Sequence, residues 1–342
     1  MQLYILLYLV FSFNSTQGDR SGLNSVFYSN KVQFPIKVQR GRKSDITKAR
    51  NIHVSNQNDT VTANIPCEVG GKKSWESGEK VWCWSNIEIP EYSSKTGVEL
   101  ANGQLFIDSE CYEKQVTEEN GQLKFSIRHK EPYVGNWCSN NFNFRAEVRT
   151  APWNVQHPVG TEEWFGWSYT FGKDYQIDKY NQWMFFQVHG GIVGENPLIS
   201  LQINAQNFKG ALPGEIYVVN AANNPGPNIY IPTGFFPKAN QRLNIVVHVI
   251  WGDSEKGLLE VWIDNKKVCS EKGRTVFSFH PFGGNAKWGI YKWPWKHKTR
   301  VKQSLSQGIK KLETYMGPLR VITRQPDDKG YGANSYFLVV PD

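Results

Sequence analysis

The sequence lacks the features of several large protein classes. Beyond residues 3–13, no apolar run approaches the length of about 18 residues that a membrane-spanning helix needs. A soluble mature chain without a membrane span is therefore expected. It contains no Cys-x-x-Cys pair, which argues against a zinc site of the common structural kind. No internal repeat or biased tract is visible, which excludes the collagen-like and low-complexity classes.

Aromatic and basic residues are abundant instead. The 342 residues include 13 Trp, and aromatics make up 14% of the chain, which excludes a disordered protein unable to form a core. Lys and Arg number 39 against 31 Asp and Glu, and the net charge is +8. This combination suits a partner that is an anionic polymer with flat apolar faces, either nucleic acid or acidic polysaccharide.

The start of the chain helps to choose between these two partners. Residues 3–13 form a short apolar run, followed by a polar stretch and Gly18. This pattern predicts a signal peptide over residues 1–18 and therefore a secreted, extracellular protein. A secreted protein rarely meets nucleic acid, so acidic polysaccharide becomes the expected partner. A sequon at Asn58 predicts a glycosylated surface loop.

The distribution of cysteines agrees with secretion. Four of the five cysteines fall in the N-terminal half of the chain, and an oxidising compartment would join them in two disulfides. Their positions leave all pairings open. The fifth, Cys269, would be a buried free thiol. The four disulfide candidates are Cys67, Cys83, Cys111 and Cys138.

Two regions follow the predicted signal peptide. Residues 19–97 form a polar, basic segment, and the basic run at 37–50 is either a solvated leader or a binding arm. Residues 98–342 contain at least ten short β-rich segments separated by turn residues, with one short helix predicted near 304–312. This pattern predicts a single all-β domain, an antiparallel sandwich or barrel. The Trp-containing hairpin at 243–267 resembles the jelly-roll sandwich of concanavalin-type lectins, which implies an antiparallel β-jelly-roll here.

Three segments carry residues suited to chemistry. In the first, alternation places Arg145, Glu147 and Arg149 on one face of a strand, where they form either a solvated outer face or a binding surface for a carboxylate. In the second, Gln187 and His189 share a face just before two glycines that leave room for a ligand. A histidine there is either structural or a proton-transfer group.

The third segment combines a cation, a glycine and a phenol. Lys287, Gly289 and Tyr291 share a strand face, and the glycine between the two larger side chains leaves space for a substrate. A dense basic stretch follows at 296–302, which is either an ordinary solvated loop or part of a surface that attracts substrate.

The order Arg-x-Glu, Gln-x-His-Gly-Gly, Lys-x-Gly-x-Tyr resembles the heparin lyase I and glucuronan lyase group of jelly-roll polysaccharide lyases, over roughly residues 98–325. The resemblance implies β-elimination of a uronic-acid polysaccharide in a cleft on the concave sheet. It implies catalytic roles for His189, Tyr291 and Lys287, with Arg145 as the arginine of the first motif. No cofactor is implied beyond a structural calcium in some members, and no Asp-rich loop assigns one here.

The chemistry explains these residue types. β-Elimination removes the C5 proton of a uronate, and a cation such as Arg145 or Lys287 that neutralises the carboxylate stabilises the resulting charge, by about 3 kcal/mol per well-aimed donor. His189 and Tyr291 would then act as the acid and base. The predicted supporting contacts to substrate are Gln187, Arg149, Lys292, Trp293 and Trp295.

Two alternatives remain open at this stage. A glycan-binding or extracellular-matrix protein on the same scaffold would keep the basic, Trp-rich surface without catalysis. A glycoside hydrolase would need two carboxylates flanking the bond, and Glu147 with Glu162 or Glu163 is the only pair that can be nominated. The favoured interpretation is a monomeric secreted lyase.

Overall fold

The computed structural model describes residues 78–90, 96–109, 115–128, 144–222 and 226–342. The chain divides into two units, residues 1–58 and 59–342, and every described residue belongs to the second. Several predicted features lie outside the described residues: the signal peptide, the basic run at 37–50, Asn58, Cys67, Cys111 and Cys138.

Nearly all regular structure within the described residues is antiparallel β-sheet. The nine strands of the first sheet are β1 Glu79–Trp82, β4 Val116–Glu119, β5 Gln122–Arg128, β8 Glu162–Phe171, β13 Arg242–Ile250, β14 Leu258–Ile263, β15 Lys266–Lys272, β18 Lys311–Met316 and β19 Leu319–Arg324. The eight strands of the second sheet are β2 Thr96–Leu100, β3 Leu105–Ser109, β6 Arg145–Thr150, β9 Trp183–His189, β10 Ile199–Ile203, β11 Ile216–Asn220, β12 Ile229–Pro232 and β17 Asn285–Tyr291.

A few short elements complete the description. A two-stranded sheet joins β7 His157–Pro158 to β16 Phe282–Gly283. The helices are α1 Lys298–Ser306 and α2 Tyr336–Val339, with 3₁₀ turns at Trp84–Asn86 and Trp293–Lys296. No helix in the described ranges has the length and apolar character needed to cross a bilayer.

Both sheets have a fixed strand order. In the first sheet the order is β15-β14-β13-β8-β18-β5-β4, and β19 pairs with β8 beside β18 and carries β1 on its other edge. In the second the order is β12-β11-β10-β9-β17-β6-β3-β2, so β17 lies between β9 and β6. These three central strands carry the three motifs singled out in the sequence.

Aromatic side chains fill the space between the sheets. Trp167 of β8 packs on Phe186 of β9, with ring centroids 5.0 Å apart, and on Trp288 of β17, with centroids 6.2 Å apart. All three are fully buried. Burying side chains of this size contributes about 1.5–3 kcal/mol each, so the high aromatic content serves the core first. Because side chains alternate along a strand, the neighbours of Phe186 and Trp288 face the opposite side of the second sheet.

The predicted all-β antiparallel sandwich is confirmed, and the predicted helix at 304–312 is wrong. The chain is helical earlier, over Lys298–Ser306, and Gly308 adopts a positive φ of 83° just after the helix ends. Leu312, Thr314 and Met316 then alternate inward on β18. Burial of every second side chain on β18 stabilises a strand there more than the local helix propensity stabilises a helix. Strand β1, which lies before the predicted domain start at 98, pairs with β19.

Two cysteines lie in the described part of the chain. Cys83 is disulfide-bonded, and its partner lies outside the described residues. Cys269 on β15 is a free thiol that is buried, with its Sγ 3.6 Å from the Leu259 carbonyl oxygen. Burial raises the pKa of Cys269 to about 12, so this thiol is unreactive at neutral pH.

A buried histidine lies on the outer face of the first sheet. His248 contacts Glu162 through Nε2 at 3.0 Å and Glu260 through Nδ1 at 2.9 Å, and its ring stacks on Trp164. Burial alone would lower the pKa of His248, but the hydrogen bonds to both carboxylates raise it above its ordinary value. The folded state therefore favours the protonated imidazole.

This arrangement predicts how stability depends on pH. A raised pKa contributes stability below the unfolded value of about 6.5, and that stability is lost as the pH rises through the folded pKa. His248→Asn should therefore cost more unfolding free energy near pH 6 than near pH 9, as measured by urea denaturation. The exposed His297→Asn is the control. An equal cost for His248→Asn at both pH values would contradict the assignment.

Candidate active site

Three neighbouring strands present polar side chains on the face of the second sheet that points away from the core. Tyr291 of β17 lies opposite Arg145 of β6. Lys287 of β17 lies between Arg149 of β6 and Gln187 of β9. The structure thus brings the three motifs together on adjacent strands, and we call this surface the cleft face.

A buried carboxylate that the sequence analysis missed lies under the cleft face. Asp108 of β3 accepts from Lys287 Nζ at 2.9 Å and from Arg149 Nε at 3.2 Å. Lys287 is 1% exposed and Asp108 4%. Burial would raise the pKa of Asp108, but the charges of Lys287 and Arg149 lower it. Asp108 is the one acidic residue of β3, and alternation places it on the face opposite Leu105 and Ile107. This pattern is the signal by which the sequence could have indicated it.

This ion network changes the interpretation of two predicted site residues. Lys287 is enclosed by its pairing with Asp108 and by Trp153, whose ring centroid lies 4.3 Å from Lys287 Nζ. Arg149 is also buried and paired with Asp108. Both cations are buried and bonded to Asp108, so the structure assigns them first to this ion network and not to direct contact with a substrate carboxylate. Both still contribute positive potential to the cleft.

A second carboxylate holds the next pair of polar groups. Gln187 Nε2 donates to Glu147 Oε1 at 2.6 Å, and Arg145 Nη1 lies 3.6 Å from Glu147 Oε2. Glu147 is 1% exposed. Burial raises the pKa of Glu147 despite the opposing charges of Arg145 and Lys287. Glu147 therefore orients Gln187 and Arg145 from beneath.

The accessible cation on this face stacks on the predicted catalytic tyrosine. The Arg145 guanidinium carbon lies 4.1 Å from the Tyr291 ring centroid, a cation–π contact. The ring of Tyr291 also packs near Phe144 and Trp293, with centroids 6.1 Å and 5.8 Å away. Tyr291 is half-buried, and the Arg145 side chain is 18% exposed. Both are more exposed than Arg149 and Lys287, whose side chains are 10% and 1% exposed.

The backbone bulges at the glycine between Lys287 and Tyr291. Gly289 has a φ of +133°, and a Cβ there would lie 2.2 Å from the Ala146 carbonyl oxygen. Tyr169 of the opposite sheet donates to the Gly289 carbonyl at 2.7 Å. This hydrogen bond from the core fixes the bulge, and the bulge determines the position of Tyr291.

His189 is held in one tautomer by backbone groups. The Gly191 N–H donates to His189 Nδ1 at 3.1 Å, and His189 Nε2 lies 3.1 Å from the Glu195 carbonyl oxygen. An N–H can only donate and a carbonyl can only accept, so Nδ1 is unprotonated and Nε2 carries the hydrogen. Burial, and next the charge of Lys287, lower the pKa of His189 to about 4. The imidazole is therefore neutral at neutral pH.

His189 and Tyr291 lie at opposite ends of the cleft face. His189 pairs with Asn285, six positions along β17 from Tyr291, which corresponds to roughly 20 Å of straight extended chain before the bulge shortens it. Arg145 stacks on Tyr291 at one end, and its charge is also among the causes that lower the pKa of His189. Trp153 covers the histidine end, with its ring centroid 4.7 Å from that of His189.

The structure places two other predicted contacts inside the protein. Lys292 is 1% exposed, and its Nζ lies 2.9 Å from Asp178 Oδ2 and 2.8 Å from the Asn181 carbonyl oxygen. Trp295 is fully buried and donates to Ser304 Oγ at 2.8 Å. The predicted substrate contacts of Lys292 and Trp295 are therefore corrected. Trp293 is half-buried beside Tyr291 and remains accessible to a sugar.

The carboxylates nominated for hydrolysis do not come together. Glu147 lies on the cleft face of the second sheet, whereas Glu162 is bonded to His248 on the outer face of the first. Glu163 accepts from Trp251 Nε1 at 2.7 Å. This placement does not support a hydrolase. Within the described ranges no group of three or more acidic, histidine or cysteine side chains is arranged to hold a metal ion.

The sequence matches one family model and several solved structures. The model for the polysaccharide lyase family matches residues 67–304. An endo-β-1,4-glucuronan lyase from the fungus Trichoderma reesei is similar at 15% identity and TM-score 0.44, covering 70% of this chain and 91% of that one. An alginate lyase from Pseudomonas aeruginosa is similar at 13% identity and TM-score 0.43, covering 61% and 85%. No curated protein sequence matches the chain.

The buried network under the cleft predicts a measurable coupling. Asp108→Ala leaves the Lys287 ammonium buried without its carboxylate, so unfolding free energy should fall by about 3 kcal/mol or more in urea denaturation. The double variant Asp108→Ala/Lys287→Met should lose less than the sum of the single variants, because no orphaned ammonium remains.

An exposed ion pair provides the control for this comparison of single and double variants. Asp174 pairs with Lys311 at 3.0 Å, but both side chains are well exposed. Asp174→Ala should leave stability unchanged within error. If the double variant lost as much unfolding free energy as the two single variants together, the contact between Asp108 and Lys287 would not stabilise the fold.

Proposed function

The chain belongs to the polysaccharide lyase family, and we propose that the cleft face of β6, β9 and β17 is its catalytic centre. The substrate is a uronic-acid polysaccharide, which the enzyme cleaves by β-elimination. The observation that carries the assignment of the site is the accessible guanidinium of Arg145 stacked 4.1 Å from the centroid of the Tyr291 ring.

The reaction places clear demands on the site. A base removes the C5 proton of the uronate, the electron pair forms the C4–C5 double bond, and the bond from C4 to the glycosidic oxygen breaks. The leaving oxygen then takes a proton. Because negative charge grows on the substrate carboxylate as the proton leaves, a cation must lie against that carboxylate.

Arg145 is the cation suited to that role. Among the described cations of the cleft face its side chain is the most exposed, at 18% against 10% for Arg149 and 1% for Lys287, which are paired with Asp108. Its planar guanidinium can pair with a carboxylate through two hydrogen bonds. Glu147 fixes Arg145 and Gln187 from below, so the donors are oriented before substrate arrives.

Tyr291 is the proposed acid and base. Its ring lies against the guanidinium that would hold the carboxylate, so a uronate bound by Arg145 would lie beside Tyr291. A base at this position takes up the C5 proton as the phenolate. The resulting phenol can then donate to the leaving oxygen, so one residue supports both proton transfers.

His189 has a different proposed role from the one that the sequence suggested. Its Nδ1 lone pair already accepts from the Gly191 N–H, and the ring is neutral. Acting as a base would require breaking that contact. We assign His189, with Trp153 over it, to forming the neutral wall of the cleft at the end away from Tyr291.

The proposed setting is outside the cell. The short apolar start of the sequence has the pattern of a signal peptide, and the disulfide at Cys83 fits an oxidising compartment. The proposed reaction uses positive charge supplied by Arg145 and requires no cofactor. A structural calcium is not assigned to any residue.

Removing the Tyr291 hydroxyl tests the assignment directly. Tyr291→Phe should lower kcat by about a hundredfold or more, because both proton transfers lose their group. The measurement is the ultraviolet absorbance of the unsaturated uronate formed from glucuronan, alginate, ulvan and heparin. Tyr315→Phe, a tyrosine beside Lys124 on the other sheet, is the matched control and should keep full activity. Wild-type turnover by Tyr291→Phe would refute the role.

The low pKa of His189 predicts the pH profile. The folded pKa is lowered to about 4, so the neutral imidazole persists above that pH. Activity should therefore show no acidic limb from His189 near the ordinary value of about 6.5. The test compares kcat/KM from about pH 4 to 8 for wild type and His189→Gln. A limb near 6.5 in wild type that disappears in the variant would overturn the assigned neutral state.

A further inference from the structure

A cluster of exposed cations lies beyond Tyr291 and is not used by the proposed mechanism. We call it the basic ridge, and its members are Lys179, Lys296, Lys298, Arg300 and Lys302. Among the described residues, the ion pairs of this region are formed by Lys292 and Lys311, and none involves a member of the ridge. The ridge therefore presents positive charge to solvent without neutralising partners in the described part of the chain.

The charges of the ridge are unfavourable for the helix that carries them. The first turn of α1 contains Lys298 and Arg300 and no acidic residue, although the N-terminus of a helix favours negative charge. Lys302 lies four residues after Lys298, and like charges at this spacing repel each other. Helix stability does not explain this arrangement, whereas binding of a polyanion would relieve both effects.

Buried contacts fix the ridge relative to the cleft. The chain continues from Tyr291 through Lys292 and the turn Trp293–Lys296 into α1. Lys292 is anchored by Asp178, and Trp295 donates to Ser304 Oγ at the inner side of the helix. The Asn181 side chain donates to the Arg300 carbonyl at 2.9 Å, which joins the loop carrying Lys179 to the same helix. The ridge therefore has a defined position at the Tyr291 end.

We infer that the basic ridge is a second binding site for the anionic polysaccharide, outside the catalytic cleft. This inference rests on the proposed function, because the expected occupant is the same uronate chain where it leaves the cleft past Tyr291 and Trp293. The charges are spread along the surface and do not converge on one pocket. That distribution fits a polymer with repeating carboxylates better than a small anion. The ridge raises the local concentration of long chains at the active site.

Charge reversal on the helix is the test. Lys298→Glu/Lys302→Glu is compared with Lys256→Glu/Lys272→Glu, two exposed lysines on the edge hairpin of the first sheet with the same change in net charge. Binding to polyglucuronate, alginate and heparin is measured at low and high salt in the Tyr291→Phe background, so that the chains stay intact. The ridge variant should bind the polymers about tenfold more weakly at low salt, with a smaller salt dependence, and the control should bind nearly as wild type does.

Chain length gives a second readout with active enzyme. The ridge variant should lose about tenfold more kcat/KM on the long polymer than on a tetrasaccharide of the same uronate, because a short substrate does not reach the ridge. Thermal melting should show no loss of stability, since a glutamate in the first turn of α1 is favourable. A lowered Tm would be resolved with the neutral variant Lys298→Gln/Lys302→Gln, for which an intermediate loss of binding is expected.

The outcomes separate this inference from the proposed function. If no polysaccharide is cleaved but the ridge variant alone loses polymer binding, the ridge is supported and the catalytic proposal fails. If the polymers are cleaved but ridge and control variants bind them equally, the ridge is refuted and the catalytic proposal stands. Equal or larger losses of binding to RNA or to anionic lipid vesicles would also refute it, because the ridge would then be a general anion-binding surface.

Discussion

The salt bridges of Asp108 with Lys287 and Arg149 are the constraint on which the cleft depends. Two cations and one carboxylate lie nearly out of contact with water, where an unpaired charge would cost several kcal/mol. Their mutual pairing makes it possible for the central strands to carry charge on a face that is largely covered. The same network leaves a net positive potential beneath the surface, which suits an anionic substrate.

This constraint divides the cations of the site into two groups. Lys287 and Arg149 are buried against Asp108 and act through their field, whereas Arg145 is more exposed and lies on the Tyr291 ring. Glu147, which is equally buried on the neighbouring strand, plays the equivalent structural role for Arg145 and Gln187. Binding, orientation and proton transfer are thus distributed over residues with different degrees of burial, and the most exposed ones are those proposed to touch the substrate.

The central strands of the second sheet serve two purposes, because one face packs in the core and the other carries the site residues. On β17, Trp288 and Ile290 face the aromatic core while Lys287 and Tyr291 face the cleft. The bulge at Gly289, held by Tyr169 from the other sheet, links core packing to the position of the tyrosine. A change in the core would therefore move the catalytic group, since dense packing transmits such shifts.

The sequence by itself determined the fold class, the strand positions and the polar face of each motif, because alternation with a period of two is a local property. It could not show that Asp108 pairs with Lys287, since that contact joins positions distant in sequence. Only the tertiary structure placed Lys292 and Trp295 inside the protein. Burial and the choice of partner depend on strand order and register, which arise from the packing of the whole domain.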